Sequence, residues 1–398
     1  MKKKQLYTLI VVVVILAILY AYQKKSREKN WDDGNKSASE KLLPANFDTE
    51  KIAAVRITKD GKSLTMEKKD AGWGLKERFG YPIDFASLKS MFFDLYETGV
   101  AQTLDLVPTQ VEAMALNEKS GAVKLELLDA KGDVLQKLFF GKKHSNKKSD
   151  AENVPNPYGF NMGGSVEVGR YLLLNDGRYV IAAETFDKVD QDATKWLNQD
   201  FFSISNVKKA SLTKKGKALW NVARGKSSDD LKLVGAAVPA NKEVDTSKLN
   251  SVKNAFNYFQ FADIAGTSKE APLKNASVLT VEDFDGFKYV IDYDPAEKGE
   301  NKLQVSVSWK GKKNRDAAKD EKPEDKAAKD QAFAKKIKEN KDKVIELNAR
   351  LRGWTYLVDS AKLSSIPSDL AEFLKDKPKP KESAKKDATE KKNASVIK

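Results

Sequence analysis

Residues able to do chemistry are scarce in this chain. It has no cysteine and a single histidine, His144, so thiol nucleophiles and Cys/His zinc sites have nothing to be built from. His144 stands in a lysine-rich stretch, Gly141 to Lys148, read as a surface loop. Neighbouring positive charge there disfavours an imidazolium. No nucleophile or orienting carboxylate accompanies it in the sequence.

Carboxylates remain. Glu282, Asp283 and Asp285 precede Gly286, and Asp292, Asp294 and Glu297 follow the next apolar run. Oxygen-only sets of this kind bind hard cations or hydrolyse glycosides. The calcium-loop spacing fails, because Gly286 directly follows Asp285 and no glutamate closes the loop. An acidic hairpin turning at Asp-Gly is the plainer reading. Gly159, Gly163 and Gly164 lack the Lys-Ser/Thr pair of a phosphate cradle and read as a turn. Neither metal nor cofactor is expected.

The net charge of +14 would suggest a polyanion partner if it were spread over the body, but it is not. Residues 1–30 contribute +6, the stretch Lys310 to Lys343 +5 and Lys375 to Lys398 another +5. The rest of the chain is left near −2. Basicity confined to flanks and charged segments argues against a groove for nucleic acid, so no nucleic-acid partner is expected.

Leu6 to Tyr22 is apolar apart from Thr8 and is flanked by lysines on both sides. As a helix its 17 residues reach roughly 26 Å, close to a bilayer core. A transmembrane anchor running through Leu6, Ile10, Val14, Leu19 and Tyr22 is predicted, with tyrosines at both ends. Leu19-Tyr20-Ala21 lacks a small-x-small cleavage site, so the anchor is expected to stay uncleaved. Residues 23–46 read as a flexible linker.

Beyond the linker two related α+β units are expected at 47–203 and 204–375, each an antiparallel sheet with packed helices. In the first, Val55 and Ile57 alternate up to an Asp60-Gly61 turn, then Leu64 and Met66 return. Asp84 caps a helix with Phe85, Leu88, Phe92 and Leu95 on its buried face. Strands at Val123–Leu127 and Val134–Phe140 flank Gly132, and Glu184 to Leu197 reads as helical. The plan recurs: Ile57-Thr58-Lys59-Asp60-Gly61-Lys62 matches Leu212-Thr213-Lys214-Lys215-Gly216-Lys217. Asp84, Leu88 and Ser90 match Asp245, Leu249 and Ser251, and Arg178–Ala183 matches Trp354–Val358. The second copy carries a charged insertion, 310–343, read as an exposed helix or loop. Residues 376–398 read as a disordered lysine-rich tail.

The order of these features resembles the bacterial family called domain of unknown function 4340. The resemblance rests on the apolar N-terminus, the Val55–Met66 hairpin, Trp73-Gly74-Leu75, Tyr81-Pro82-Ile83-Asp84, Phe140-Gly141-Lys142 and Arg178-Tyr179-Val180. It is strongest over residues 1–200. One departure is Met114-Ala115-Leu116, where the family has a tyrosine-glycine-leucine turn. A five-residue tail with three lysines and the absence of cysteine favour a large domain outside the cytoplasm, at the inner membrane. The resemblance implies a membrane-anchored envelope protein without assigned catalysis, with partners among transport or gliding-type systems. A non-catalytic scaffold with lipid-bilayer and membrane-protein partners is therefore expected. Lys312, Lys313, Arg315, Lys335 and Lys336 are its candidate docking residues. Two other readings stay open: a carboxylate-dependent cell-wall glycan enzyme, and a polyanion-binding envelope protein.

Overall fold

The protein is described from a computed structural model covering residues 40–44, 46–70, 72–146, 166–295, 299–317 and 321–377. The Leu6–Tyr22 segment, Gly159, Gly163, Gly164, Glu297 and the tail beyond Lys377 lie outside the described residues. Among the described residues no helix is long and apolar enough to cross a membrane. The chain divides into two compact units, Met1–Gln199 and Asp200–Lys398. Each is an antiparallel sheet with a few helices.

The first unit contains β1 (Ala54–Lys59), β2 (Lys62–Lys69), β3 (Gly72–Leu75) and β4 (Tyr81–Pro82), then helix α1 (Phe85–Glu97) and β5 (Val100–Leu104). A short helix α2 (Pro108–Ala113) leads to β6 (Val123–Leu128), β7 (Val134–Asn146), β8 (Val166–Leu173) and β9 (Tyr179–Ala182). The sheet order is β4-β3-β2-β1-β6-β7-β8-β9-β5. Alternation fixes its register: Val55 and Ile57 on β1 face Met66 and Leu64 on β2, and all four are buried.

The second unit contains β10 (Val207–Lys214), β11 (Lys217–Ala223), β12 (Lys232–Leu233), β13 (Lys242–Val244), α3 (Thr246–Asn254) and β14 (Asp263–Thr267). It continues through β15 (Ser277–Asp283), β16 (Phe287–Asp294), β17 (Glu300–Trp309), the long helix α4 (Pro323–Leu351), β18 (Trp354–Asp359), α5 (Ser360–Leu363) and β19 (Leu374–Asp376). Its main sheet runs β12-β11-β10-β15-β16-β17-β18-β14, with β13 and β19 paired apart.

The two orders are one plan: β2-β1-β6-β7-β8-β9-β5 corresponds strand for strand to β11-β10-β15-β16-β17-β18-β14. The first hairpin of each turns through two left-handed residues, Asp60 and Gly61 (φ 49° and 74°) against Lys215 and Gly216 (50° and 76°). Each capping aspartate accepts a backbone N–H of the first turn, Ala86 for Asp84 and Ser247 for Asp245. The same aspartates donate their own N–H to a C-terminal carbonyl, Trp196 in one unit and Phe373 in the other.

Five sequence expectations are corrected here. Residues 40–43 are not linker: Lys41 bridges Gly99, and Leu42 and Leu43 are buried in the first unit. Glu184 to Leu197 forms turns with only a 3-10 turn at Ala193–Lys195. There Asp190 and Asp192 accept backbone N–H groups two residues on, offering the chain an alternative to helix. The unit boundary falls before Phe201 and Phe202, which pack on Phe256 and Phe259 of the second unit. At the other end Asp376 pairs in β19 with Lys242, so the ordered unit reaches past 375. Finally, α1 buries Leu88, Met91 and Leu95, whereas Phe85 points outward and Phe92 is half-buried.

The Met114-Ala115-Leu116 turn has a visible cost. Ala115 sits at φ 54°, a conformation that costs an L-residue about 1 kcal/mol or more. A Cβ on Gly141 would lie 2.4 Å from the Met114 carbonyl oxygen, so this turn lies directly against β7. Ala115→Gly is expected to raise the stability of the first unit by about 0.5–1 kcal/mol, after the extra freedom of glycine in the unfolded chain is subtracted. A denaturant titration would read this as a higher midpoint at unchanged slope, and a lowered midpoint would refute it.

Candidate functional site

In the first unit β8 and β9 are joined by a tight turn at Asn175–Gly177; in the second the equivalent β17 and β18 are separated by α4. β17 is longer than its partner. Its residues 300–303 pair with β18 and Gln304 still reaches Thr355 through its side chain, while Ser306 to Trp309 run on beyond it. An open edge of this kind needs covering, and the end of α4 covers it. The Asn348 side chain accepts from Val307 N–H (2.9 Å) and donates to Val307 C=O (2.6 Å), as a neighbouring strand would.

From that anchorage α4 runs back over the tip of the β15–β16 hairpin. Its 29 residues span about 44 Å. Phe333, Ile337, Val344, Leu347 and Leu351 recur on one side and are buried or half-buried. A cleft of about 330 Å³ opens between this helix and the hairpin, in the size range of small-ligand sites. Its walls are the acidic turn Glu282–Gly286, the chain from Trp309 to Lys312, Lys208, and Phe333, Lys336, Ile337 and Asn340 from α4. The wall opposite the helix is held tightly. Trp309 Nε1 donates to the Asp285 carbonyl (2.8 Å), Lys310 N–H to the Gly286 carbonyl (2.7 Å), and a Cβ on Gly286 would lie 2.5 Å from Gly311 Cα.

The structure thus gathers Glu282, Asp283 and Asp285 with Lys312 and Lys336, which the sequence placed in separate segments. Burial raises the Asp283 carboxyl above the ordinary range, with the Asp285 charge adding to it. Its carboxylate nevertheless accepts the Phe287 N–H at 2.8 Å and so fastens the turn. Burial, with Asp283 and Asp285 nearby, pushes the Tyr289 hydroxyl up to about 12. Asp285 pairs with Lys336 at 3.4 Å. Asp292 and Asp294 are not part of this group: they lie at the other end of β16, about 20 Å along the strand by its rise per residue. Asp294 accepts the Lys274 and Asn275 N–H groups (2.7 and 2.9 Å). Among the described residues no cluster of three or more His, Asp and Glu could hold a metal ion.

Four of the five predicted docking residues make ion pairs within the chain. Lys312 pairs with Asp316, Lys335 with Glu339, and Lys336 with Asp285. Arg315 grips Glu321 through two nitrogens (2.9 and 2.5 Å) and also reaches Asp330 at 2.9 Å. Lys313 is exposed. Lys329 completes the clasp on Glu321 at 2.9 Å. Hydrogen bonds from Arg315 and then Lys329 hold the Glu321 carboxyl down to about 2. Because the folded value lies below the ordinary 4.5, the clasp supports the folded form above that pH and is lost as pH falls toward 2. The hydrogen-exchange protection of the first turns of α4, taken against the intrinsic amide rate at each pH, is expected to fall between pH 4.5 and 2. Glu321→Gln should remove that step, and a step that persists in the variant would refute the assignment.

His144 is not in a loop. It lies on β7, half-buried, with Nδ1 3.0 Å from the Tyr171 hydroxyl, and burial lowers its pKa. The apolar spacing at 333, 337, 344, 347 and 351 was readable in the sequence but stood among charges that read as a solvated segment. Asn348 carried no such signal.

Residues 73–277 match the model of a family described as Domain of unknown function (DUF4340). The chain belongs to that family. The DUF4340 match starts at Trp73, after the apolar segment and the Val55–Met66 hairpin, and crosses into the second unit as far as Ser277 at the head of β15. The acidic turn, Trp309 and α4 all follow the matched stretch, so the cleft is built mostly on this chain's own C-terminal part. No curated protein and no solved structure matches the chain.

Proposed function

We propose that this chain is a single-pass, membrane-anchored cell-envelope protein whose body is a non-catalytic binding or scaffold component of a membrane complex of the transport or gliding type. One observation carries this reading. Where the first unit joins β8 to β9 by a tight turn, the second spends the equivalent β17–β18 connection on a long helix and a cleft. Elaboration of one sibling by an element its fold does not need is what a binding role asks of it. The cleft's mixed ammonium and carboxylate groups beside Phe284, Phe333 and Trp309 suit a charged polypeptide segment with an aromatic or aliphatic anchor. Asp283 fastens the turn and Asp285 pairs with Lys336.

The test is a crosslinking pull-down from membranes. Full-length protein is compared with a variant in which residues 310–352 are replaced by the sibling's tight turn. Loss of a co-purified membrane protein from the variant, with the variant still in the membrane fraction, is the expected result. Identical partners for both would overturn the binding role of α4. A second reading, glycan hydrolysis, draws support from Asp283, whose raised carboxyl sits beside Asp285 in a cleft. Glycan turnover by the protein that is abolished by Asp283→Asn would favour it over the scaffold.

A further inference from the structure

The two capped helices make an internal comparison. With Asp84 set on Asp245, the buried residues Leu88, Met91 and Leu95 of α1 fall on the buried Leu249, Val252 and Phe256 of the second unit. The fold keeps that face apolar in both copies. The outward positions differ in kind. Phe85, Lys89, Phe93 and Tyr96 stand where the sibling has Thr246, Asn250, Asn254 and Asn257. At about 100° per residue these four positions share an arc of about 80°. Phe85, Phe93 and Tyr96 are 56%, 51% and 46% exposed. The sibling helix is shorter, Thr246–Asn254, and carries polar residues at these positions with one exposed ring, Tyr258, in the turn beyond it, so a stripe of three rings along the helix is not required by the fold. Clustered exposed rings mark a surface that is covered in use.

What covers it is indicated by where the chain enters the first unit. Val100 N–H donates to the Glu40 carbonyl (2.8 Å) and Lys41 Nζ to the Glu97 carbonyl (2.6 Å). The incoming segment is thus tied to the end of α1 that carries Tyr96. Only 17 residues, 23–39, separate that point from Tyr22 at the end of the apolar segment. Even fully extended, 17 residues reach no more than about 60 Å, which bounds how far the first unit can stand from Tyr22. Lysines stand in and beside the stripe: Lys89 lies within it, Lys188 Nζ reaches Ser90 Oγ at its border (2.5 Å), and Lys41 pairs with Glu97 beside Tyr96 at 3.3 Å. Rings with interspersed lysines are the composition of surfaces that settle at the headgroup layer.

We infer that the outward face of α1 lies in the interfacial layer of the same bilayer that holds Leu6–Tyr22. Phe85, Phe93 and Tyr96 enter that layer, and Lys89 and Lys188 face lipid phosphates. This rests on the membrane-anchored reading above. It makes the first unit membrane-seated and leaves the elaborated second unit to meet partners.

The absence of cysteine allows a clean label. Phe93→Cys and, at the sibling position, Asn254→Cys are introduced singly into the full chain and tagged with an environment-sensitive dye. Each is reconstituted into vesicles of phosphatidylcholine and phosphatidylglycerol, with and without brominated acyl chains. The label at 93 is expected to be quenched by brominated lipid roughly two- to threefold more than the label at 254, with blue-shifted emission. A second label, Lys89→Cys, is expected to lose its quenching when Phe85→Thr, Phe93→Asn and Tyr96→Asn are combined, while the protein still floats with the vesicles. Flotation with a water-exposed label at 93 would overturn the inference and leave the anchor standing. A dehydrated but unquenched label would also overturn it, by assigning the face to a protein neighbour or a second copy. Failure to float would overturn both.

Discussion

Asn348→Ala is expected to destabilise the second unit by about 2–4 kcal/mol and to free α4 from the sheet, the sum of leaving a buried donor and a buried acceptor without partners. Asn348 is the one side chain that answers both the N–H and the C=O of Val307, on a strand segment with no β18 residue opposite it. The amide exchange of Val307 should accelerate together with that of the last turns of α4, and the cleft should lose its helical wall. Asn348→Asp keeps the acceptor for the Val307 N–H but sets a carboxylate oxygen against the Val307 carbonyl, 2.6 Å from the amide nitrogen it replaces, so at neutral pH it should be no milder than alanine. Unchanged exchange at Val307 in the alanine variant would mean that the edge is covered by something other than this amide. The open strand end would also offer a pairing surface, so a rise in aggregation is expected alongside the loss of stability.

Phe256→Ala is expected to cost the second unit about 3–5 kcal/mol, the usual range for truncating a buried aromatic. Phe256 is 1% exposed, and its ring lies 5.1 Å from Phe259 and 5.8 Å from Phe202. Those rings continue into Phe201, Phe261 and Tyr356, with neighbouring centroids 4.6 to 6.1 Å apart. Edge and tilted pairs of this kind add to the area term. The equivalent truncation in the sibling, Leu95→Ala, removes fewer atoms and should cost about 2–5 kcal/mol. Calorimetry of both variants checks the pair. If Phe256→Ala left the second unit's unfolding unmoved, the correspondence of the two helices would lose its energetic meaning.

Most of the sheet framework was open to sequence reasoning because it is set by local rules. A period of two with a left-handed two-residue turn makes Val55–Met66 a hairpin, and the same code at Leu212–Trp220 makes another. Asp84 and Asp245 announced their helices by capping chemistry. Recurrence of these signals revealed the doubled plan. The errors came where two local signals competed. Glu184 to Leu197 has apolar residues at helical intervals, yet its aspartates bind nearby N–H groups and hold turns instead. In α1 the apolar positions admitted two faces, and only packing selected Leu88, Met91 and Leu95 over Phe85 and Phe92. The five basic residues singled out in the insertion read as available charge, whereas four of them find carboxylates in the folded chain.

By itself, then, the sequence determined that the described body is built from two antiparallel α+β siblings with little material for covalent chemistry, since composition, alternation and turn residues act over a few positions. Tertiary structure alone decided that α4 lies along the β17 edge, that Asp283 and Lys336 share a cleft, and that three aromatic rings of α1 face outward. Each of those depends on residues far apart in the chain meeting across a packed surface, and no spacing within a single segment encodes that meeting.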